Sequence, residues 1–280
     1  MKYKEYKELI LRNMPQNPNP GSCQNKEYKH ILGNPSTPNE KAELINKYSL
    51  LPGVPSIDYN RLHLHLYAHH LNSSQIMCYN FFRPLMEETN GEMYKPSKPL
   101  IDLIEKEIGE KVDFEKSFCN FEYIEKTKEG KKERTNFDFY LCSGEMEIFF
   151  EIKYTEEAFS QKSQAKNPQK QYKTVYRPLI DKAKNIFIGG TISEEDFNNK
   201  YYQLARNAIR AYSSNKHVFF VCPKAHKKLI SQFETFSDKH LTDYGKNLVK
   251  LITWEDLVDA AAHLSIDIED FNKRYLSFLR

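Results

Sequence analysis

The sequence predicts an α/β protein in which a central mixed β-sheet is flanked by helices. Three observations carry that prediction. Residues 112–125, 134–142 and 146–155 form three consecutive runs rich in aromatic and β-branched residues, separated by short polar turns. Two more compact apolar runs, HVFFVC at 217–222 and LVKLIT at 248–253, lie beyond a helical stretch. Helical patterns precede and follow the strands, which is the order expected of a layered mixed fold.

The elements follow in chain order. The first residues, MKYKEYKELILRN, are highly charged and lack the apolar stretch of a secretory signal. Residues 15–40 hold Pro15, Pro18, Pro20, Pro35 and Pro38 and predict an irregular segment. Residues 40–48 predict a short helix, broken by Leu51-Pro52-Gly53-Val54-Pro55. The expected organisation is a 1–59 segment with short helices, then one domain over 60–280. Residues 60–83 read as a long helix ended by Pro84, or as two helices divided at Asn72-Ser73-Ser74, with a serine capping the second. Residues 99–108 predict a helix stopped by Gly109.

The first two strand runs are joined by the charged loop KTKEGKK around Gly130. The second and third flank Ser143-Gly144-Glu145, a hairpin turn. Residues 161–184 read as a loop followed by a helix, and 185–188 as a short strand before Gly189-Gly190. Ser193 is placed to cap a helix running to about Tyr212, with Glu194, Glu195 and Asp196 in its dipole-favoured first turn. Thr253-Trp254-Glu255-Asp256 opens a further helix, and a final one follows. No internal repeat or heptad run is visible.

Composition sets bounds. The chain has 280 residues, 40% of them apolar, which is ample for a core. Its 41 basic and 38 acidic residues give a net charge of only +3, so any nucleic-acid surface must show in the distribution of charge. No apolar run approaches the ~18 to 20 residues that span a bilayer. The five cysteines are scattered without a CxxC pair, which argues against a zinc ribbon or disulfide framework. A cytoplasmic protein with reduced thiols is expected.

Chemistry concentrates in TNFDFYL and EMEIFFEIKYTE. Side chains two apart on a strand share a face, so Glu151 and Lys153 point the same way from an otherwise apolar run. Asp138 sits on the neighbouring strand. Two carboxylates that leave room for water and substrate suit a hard divalent cation, with Mg²⁺ (or Mn²⁺) the expected ion. The Ile152 carbonyl lies between Glu151 and Lys153 and offers a third oxygen. Such a site hydrolyses phosphodiesters, with Lys153 orienting water and stabilising charge in the transition state. The competing reading is a cross-strand salt bridge on a solvated sheet face.

On the helix predicted over 194–212, Phe197, Tyr201, Leu204, Ala208 and Tyr212 form an apolar stripe. Gln203, Arg206, Asn207 and Arg210 share another face. Residues 161–184 carry Lys162, Lys166, Lys170, Lys173, Arg177, Lys182 and Lys184 against Asp181 alone, interleaved with Gln161, Gln164, Tyr172 and Tyr176. That mixture suits phosphate contacts, with Lys170, Lys173, Arg177 and Arg206 the expected nucleic-acid-binding residues; a solvated loop is the bland alternative. His63, His65, His69 and His70 crowd one predicted helix. His65 and His69 are four apart, but no HExxH accompanies them, so partly buried or cleft-side polar roles are favoured over zinc.

TNFDFYL followed by EIFFEIKYTE is similar to the core of the PD-(D/E)XK nuclease superfamily, the restriction-endonuclease-like fold. The likeness extends to a bacterial branch in which a helix resembling LNSSQIMCYNFF precedes the core and one resembling YYQLARNAIRAY follows it. Together these pieces cover residues 60–222. The resemblance implies that Asp138 and Glu151 bind metal, that Lys153 is catalytic, and that Gln203 lies in the active site. It implies DNA as the substrate and products with 5′-phosphate and 3′-hydroxyl ends. The chain departs from the usual first motif, because Asp138 follows Thr135-Asn136-Phe137 rather than a proline or a glycine with two apolar residues. A further acid often comes from an early helix or the first strand. Gln75 and Glu122 are the candidates, and Gln75 would be the weaker ligand.

The expected function is therefore a divalent-metal-dependent DNA endonuclease, with a restriction or defence role expected from the family-level analogy and a homodimer reasonable because double-strand cleavage needs two sites. The alternative is a non-catalytic nucleic-acid-binding module that retains the fold. A two-carboxylate hydrolase acting on sugars fits Lys153 and the basic segment poorly.

Overall fold

The order of strands in the central sheet follows directly from the connections. The computed structural model describes residues 1–18, 20–23, 26–126, 132–160, 162–163 and 165–279. Two short ribbons come first: β1 (Pro20–Cys23) with β2 (Lys26–Leu32), and β3 (Met86–Glu87) with β4 (Lys95–Pro96). The main sheet contains β5 (Ser117–Lys126), β6 (Lys132–Ser143), β7 (Met146–Ile152), β8 (Lys216–Cys222) and β9 (Val249–Thr253), in that spatial order. The first three are antiparallel, as hairpins require, whereas β8 and β9 return parallel through helical connections. The β6–β7 turn closes on the pair Ser143–Met146, with Gly144 at φ +61°, where glycine carries no Cβ penalty.

Each face of the sheet is covered. Phe139, Leu141, Phe150, Ile152 and Phe219 pack with helices Ser74–Phe82, Lys98–Ile108 and Trp254–His263. Tyr140, Phe149, Val218 and Phe220 pack on the opposite side with helices Tyr202–Ala208 and Lys227–His240. Phe82 is fully buried and stacks on Phe139 at 4.1 Å. Truncating an aromatic so placed typically costs about 3–5 kcal/mol. The N-terminal helix Tyr3–Arg12 adds Tyr6 and Ile10 to the first of these cores. The Tyr6 hydroxyl donates to the Tyr154 carbonyl at 2.5 Å, just past Lys153.

Several helical expectations hold. The short helix is Pro38–Tyr48, and Lys98–Ile108 ends at Gly109 with φ +79°. Ser73 caps Ser74–Phe82, as the divided reading of residues 60–83 requires. The long-helix alternative fails, because residues 60–72 contain turns. Their backbone bonds go elsewhere: Leu71 N–H donates to the His30 carbonyl at 2.8 Å, and Leu32 N–H to the His69 carbonyl at 3.1 Å. Residues 15–40 are also less irregular than expected, since they contain the β1–β2 ribbon.

The helix expected over 194–212 is interrupted. Ser193 caps it, but Asp196–Lys200 forms a wide π-turn and Tyr201 leaves helical geometry at φ −129°, ψ 28°. Gln203 N–H then donates to the Ser160 carbonyl at 3.0 Å rather than within its own helix. Residues 185–188 form no strand either. Phe187 makes one isolated bridge to Leu241, and Gly189 and Gly190 turn the chain at positive φ. The 127–131 part of the charged loop, with Gln161 and Gln164, lies outside the described residues.

Candidate active site

The β6–β7 ladder stops at the pair Phe139–Phe150. One residue further, the Asp138 carboxylate replaces the backbone: its Oδ2 accepts the Ile152 N–H at 2.6 Å. The strands therefore part where the acids sit, while β7 stays paired to β8 through Lys153 N–H and the Val221 carbonyl, 2.8 Å apart. Glu151 and Lys153 emerge on the face of helix Tyr202–Ala208. Asp138, Glu151, Lys153, Gln203, Gln75 and Arg206 all border one cleft of about 560 Å³.

Glu151 is buried and fully engaged. Its Oε1 accepts from Lys153 Nζ at 2.6 Å and from Gln203 Nε2 at 2.7 Å, and its Oε2 accepts from Asn207 Nδ2 at 2.9 Å. Gln203 also closes the far wall, because its Oε1 accepts from the Ser160 N–H at 3.2 Å. The break at Tyr201 sets Gln203 and Asn207, four apart, over one carboxylate.

Glu122 completes the acidic cluster. It lies on β5 between Phe121 and Tyr123, which pair with Phe139 and Phe137 on either side of Asp138, and its φ of +51° is in the left-handed region that non-glycine residues seldom occupy. Its carboxylate is buried. Oε2 meets His65 Nε2 at 3.0 Å and accepts from the Asn136 amide, while Oε1 is without a hydrogen-bond partner among the described residues. Gln75 plays a different part. Its Oε1 accepts from His65 N–H at 3.0 Å and its Nε2 donates to the His63 carbonyl at 2.9 Å, so it braces the turn that carries His65.

The charges are mutually dependent. Burial, then the nearby carboxylates of Glu151 and Glu122, push the Asp138 carboxyl well above the usual carboxylate range. Burial alone would pull the Lys153 ammonium down, but Glu151, Glu156 and Asp138 outweigh it and raise it above an ordinary lysine. Lys153 is thus a cation at neutral pH, able to hold an anion or orient water and unsuited to act as a base. The Glu122 bond raises His65 despite burial.

The sequence-predicted residues divide in two. Asp138, Glu151, Lys153, Gln203, Glu122, Gln75 and Arg206 meet at the cleft or its wall. Lys170, Lys173 and Arg177 do not line it; they are exposed on the segment 168–182, and Arg177 pairs with Asp181 at 3.0 Å. His65 and Asn207 were visible as polar groups but not as carboxylate partners. The i, i+4 spacing of Asn207 after Gln203 was the available signal. His65 and His69 share no metal cage. Indeed, among the described residues no three His, Cys, Asp or Glu side chains are gathered closely enough to enclose a metal by themselves. The donor set nevertheless suits a hard cation: burial, and then Glu151 and Glu122, disfavour Asp138 as an anion, and Glu122 keeps a buried oxygen without a hydrogen-bond partner among the described residues.

No helix among the described residues is long and apolar enough to cross a membrane. Searches of curated proteins and of solved structures gave no match. A family model does match, over residues 19–276, and it is consistent with the five-stranded mixed sheet flanked by helices. This chain belongs to the family described as restriction endonuclease associating with ARP.

Proposed function

We propose that the protein is a divalent-metal-dependent endonuclease that hydrolyses phosphodiester bonds in DNA. The observation that carries the reading is the convergence of Asp138, Glu151 and a charged Lys153 on one cleft, beside the half-satisfied acid Glu122. Asp138, Glu151 and the Ile152 carbonyl would hold Mg²⁺ or Mn²⁺. A bound divalent cation supplies charge neutralisation at the phosphate and activation of water.

The chain's own residues account for the rest. Lys153 presents a fixed positive charge beside the reacting phosphate, where charge grows in the transition state. Gln203 and Asn207 fix the Glu151 carboxylate, so that it need not reorganise. Asp138 ties the middle of β6 to the end of β7 through the Ile152 N–H. Arg206 borders the same cleft, with its guanidinium 5.4 Å from the Tyr202 ring centre, and suits a flanking phosphate. A cytoplasmic restriction or defence role and a homodimer with two such sites fit this reading.

The test is cleavage of supercoiled and linear DNA with Mg²⁺, Mn²⁺ or EDTA, by wild type, Lys153→Ala and Asp138→Ala. Metal-dependent cleavage that both variants lose is the expected result. Equal cleavage by all three proteins refutes the site, and DNA binding without cleavage points to the non-catalytic alternative.

A further inference from the structure

Leu66 and Tyr67 are adjacent and project into solvent, 68% and 64% exposed. Single exposed apolar residues are ordinary on any protein. These two differ in place and in support. Tyr67 borders the same cleft as Asp138, Glu151 and Lys153. The turn beneath them is heavily braced. Gln75, itself buried, grips the backbone at His63 and His65. Lys41 Nζ donates to the His65 carbonyl at 2.9 Å. Ala68 is fully buried, its N–H bonded to the His65 carbonyl at 3.1 Å, and His70 N–H bonds the Tyr67 carbonyl at 3.0 Å. The Tyr67 ring leans on the His70 ring, with centroids 5.2 Å apart.

The fold thus uses a buried glutamine and a lysine to hold two apolar side chains out at the mouth of a polar cleft. We infer that Leu66 and Tyr67 form a wedge that packs against the bases of a nucleic-acid substrate next to the scissile phosphate. This rests on the nuclease reading above. A tyrosine ring stacks on any base, and a leucine fills the gap at an opened base step. The cationic groups Lys153 and Arg206 share the cleft with Tyr67, so a phosphate chain held by them brings its bases to the rim. A protein partner is less well matched, since two side chains are a small fraction of the roughly 800 Å² per partner of a stable interface.

The test places 2-aminopurine at successive positions around the cleavage site of a duplex. Binding is followed in EDTA, with Lys153 in place, so that the duplex stays whole, and cleavage is measured in parallel with Mg²⁺. The wedge predicts a several-fold rise in fluorescence at one or two adjacent positions. Leu66→Ala combined with Tyr67→Ala abolishes that rise and lowers kcat/KM by at least tenfold. Tyr67→Phe keeps both, and thermal melts are unchanged because both side chains are exposed. Ile188→Ala, which truncates a side chain 50% exposed elsewhere, alters nothing. A double variant with wild-type fluorescence response and wild-type kcat/KM overturns the wedge and leaves the nuclease reading standing. A double variant that loses only a protein partner also overturns it and makes the patch a protein contact. A wild type that neither binds nor cleaves DNA removes both.

Discussion

Replacing Asp138 with asparagine should abolish cleavage yet stabilise the metal-free protein. The substitution is nearly isosteric, and the new amide oxygen can still accept the Ile152 N–H that Asp138 Oδ2 accepts at 2.6 Å. What disappears is an acid whose ionisation is opposed first by burial and then by Glu151 and Glu122. Two unit charges 4 Å apart repel by ~4 kcal/mol at an effective dielectric constant of 20. Lys153 offsets much of that, so a net gain of ~1–2 kcal/mol is expected, within the usual range for relieving a functional site. Thermal melts in EDTA should rise by roughly 2–8 °C for a chain of this size.

The pH dependence identifies the cause. The folded-state pKa of Asp138 lies above its unfolded value, so wild type loses stability as pH rises from the ordinary carboxylate range towards the folded value. The advantage of Asp138→Asn should therefore be small near pH 5 and larger at pH 8. Adding Mg²⁺ should stabilise wild type more than the variant and narrow the gap. A variant that melts lower than wild type at pH 8 in EDTA would refute this reasoning. So would a gain equal at both pH values, because the charge would then not be its source.

Three further outcomes follow from particular contacts. Asn207→Ala leaves the buried Glu151 Oε2 without its donor and should cost ~1–3 kcal/mol in urea unfolding. Gln75→Leu frees His65 N–H and the His63 carbonyl, for a loss of ~1 kcal/mol, with Mg²⁺ affinity by titration calorimetry unchanged; a tenfold drop in affinity would make Gln75 a ligand. Gly245→Ala would drive a Cβ into the Ile186 carbonyl and should lower stability by ~1–3 kcal/mol without touching cleavage chemistry.

Strands and the charges of the cleft were legible because both follow the two-residue period of a strand. Charges at Glu151 and Lys153 break the apolar run that supplies Phe149, Phe150 and Ile152 to opposite cores. The turn at 60–72 and the break at Tyr201 were hidden because distant groups decide them. His30 takes the Leu71 N–H, Gln75 takes His65, and Ser160 takes Gln203. A helix pattern records neither. Glu122 was visible as an acid on the first strand, but its left-handed backbone between the paired residues Phe121 and Tyr123 was not. Counting charge over 161–184 found basic residues without locating the cleft, since one face of that segment turns Tyr172 and Tyr176 inward.

The partners of the acids explain how such a cluster survives without losing its use. Glu151 is held by Gln203 and Asn207 as well as Lys153, and Glu122 by Asn136 as well as His65. Amides satisfy a carboxylate's hydrogen-bonding capacity and fix its direction while adding no charge. Guanidinium groups in the same places would bind the acids more tightly, through charge-assisted pairs. They would also cancel the negative potential that a divalent cation needs. Asp138, raised by burial and then by Glu151 and Glu122, is where part of that uncancelled charge shows, and the Glu122 oxygen without a partner among the described residues is its structural counterpart. On the proposed reading, the amide wall would favour cation binding at some cost to the stability of the metal-free protein. The stabilisation expected of Asp138→Asn has the same origin.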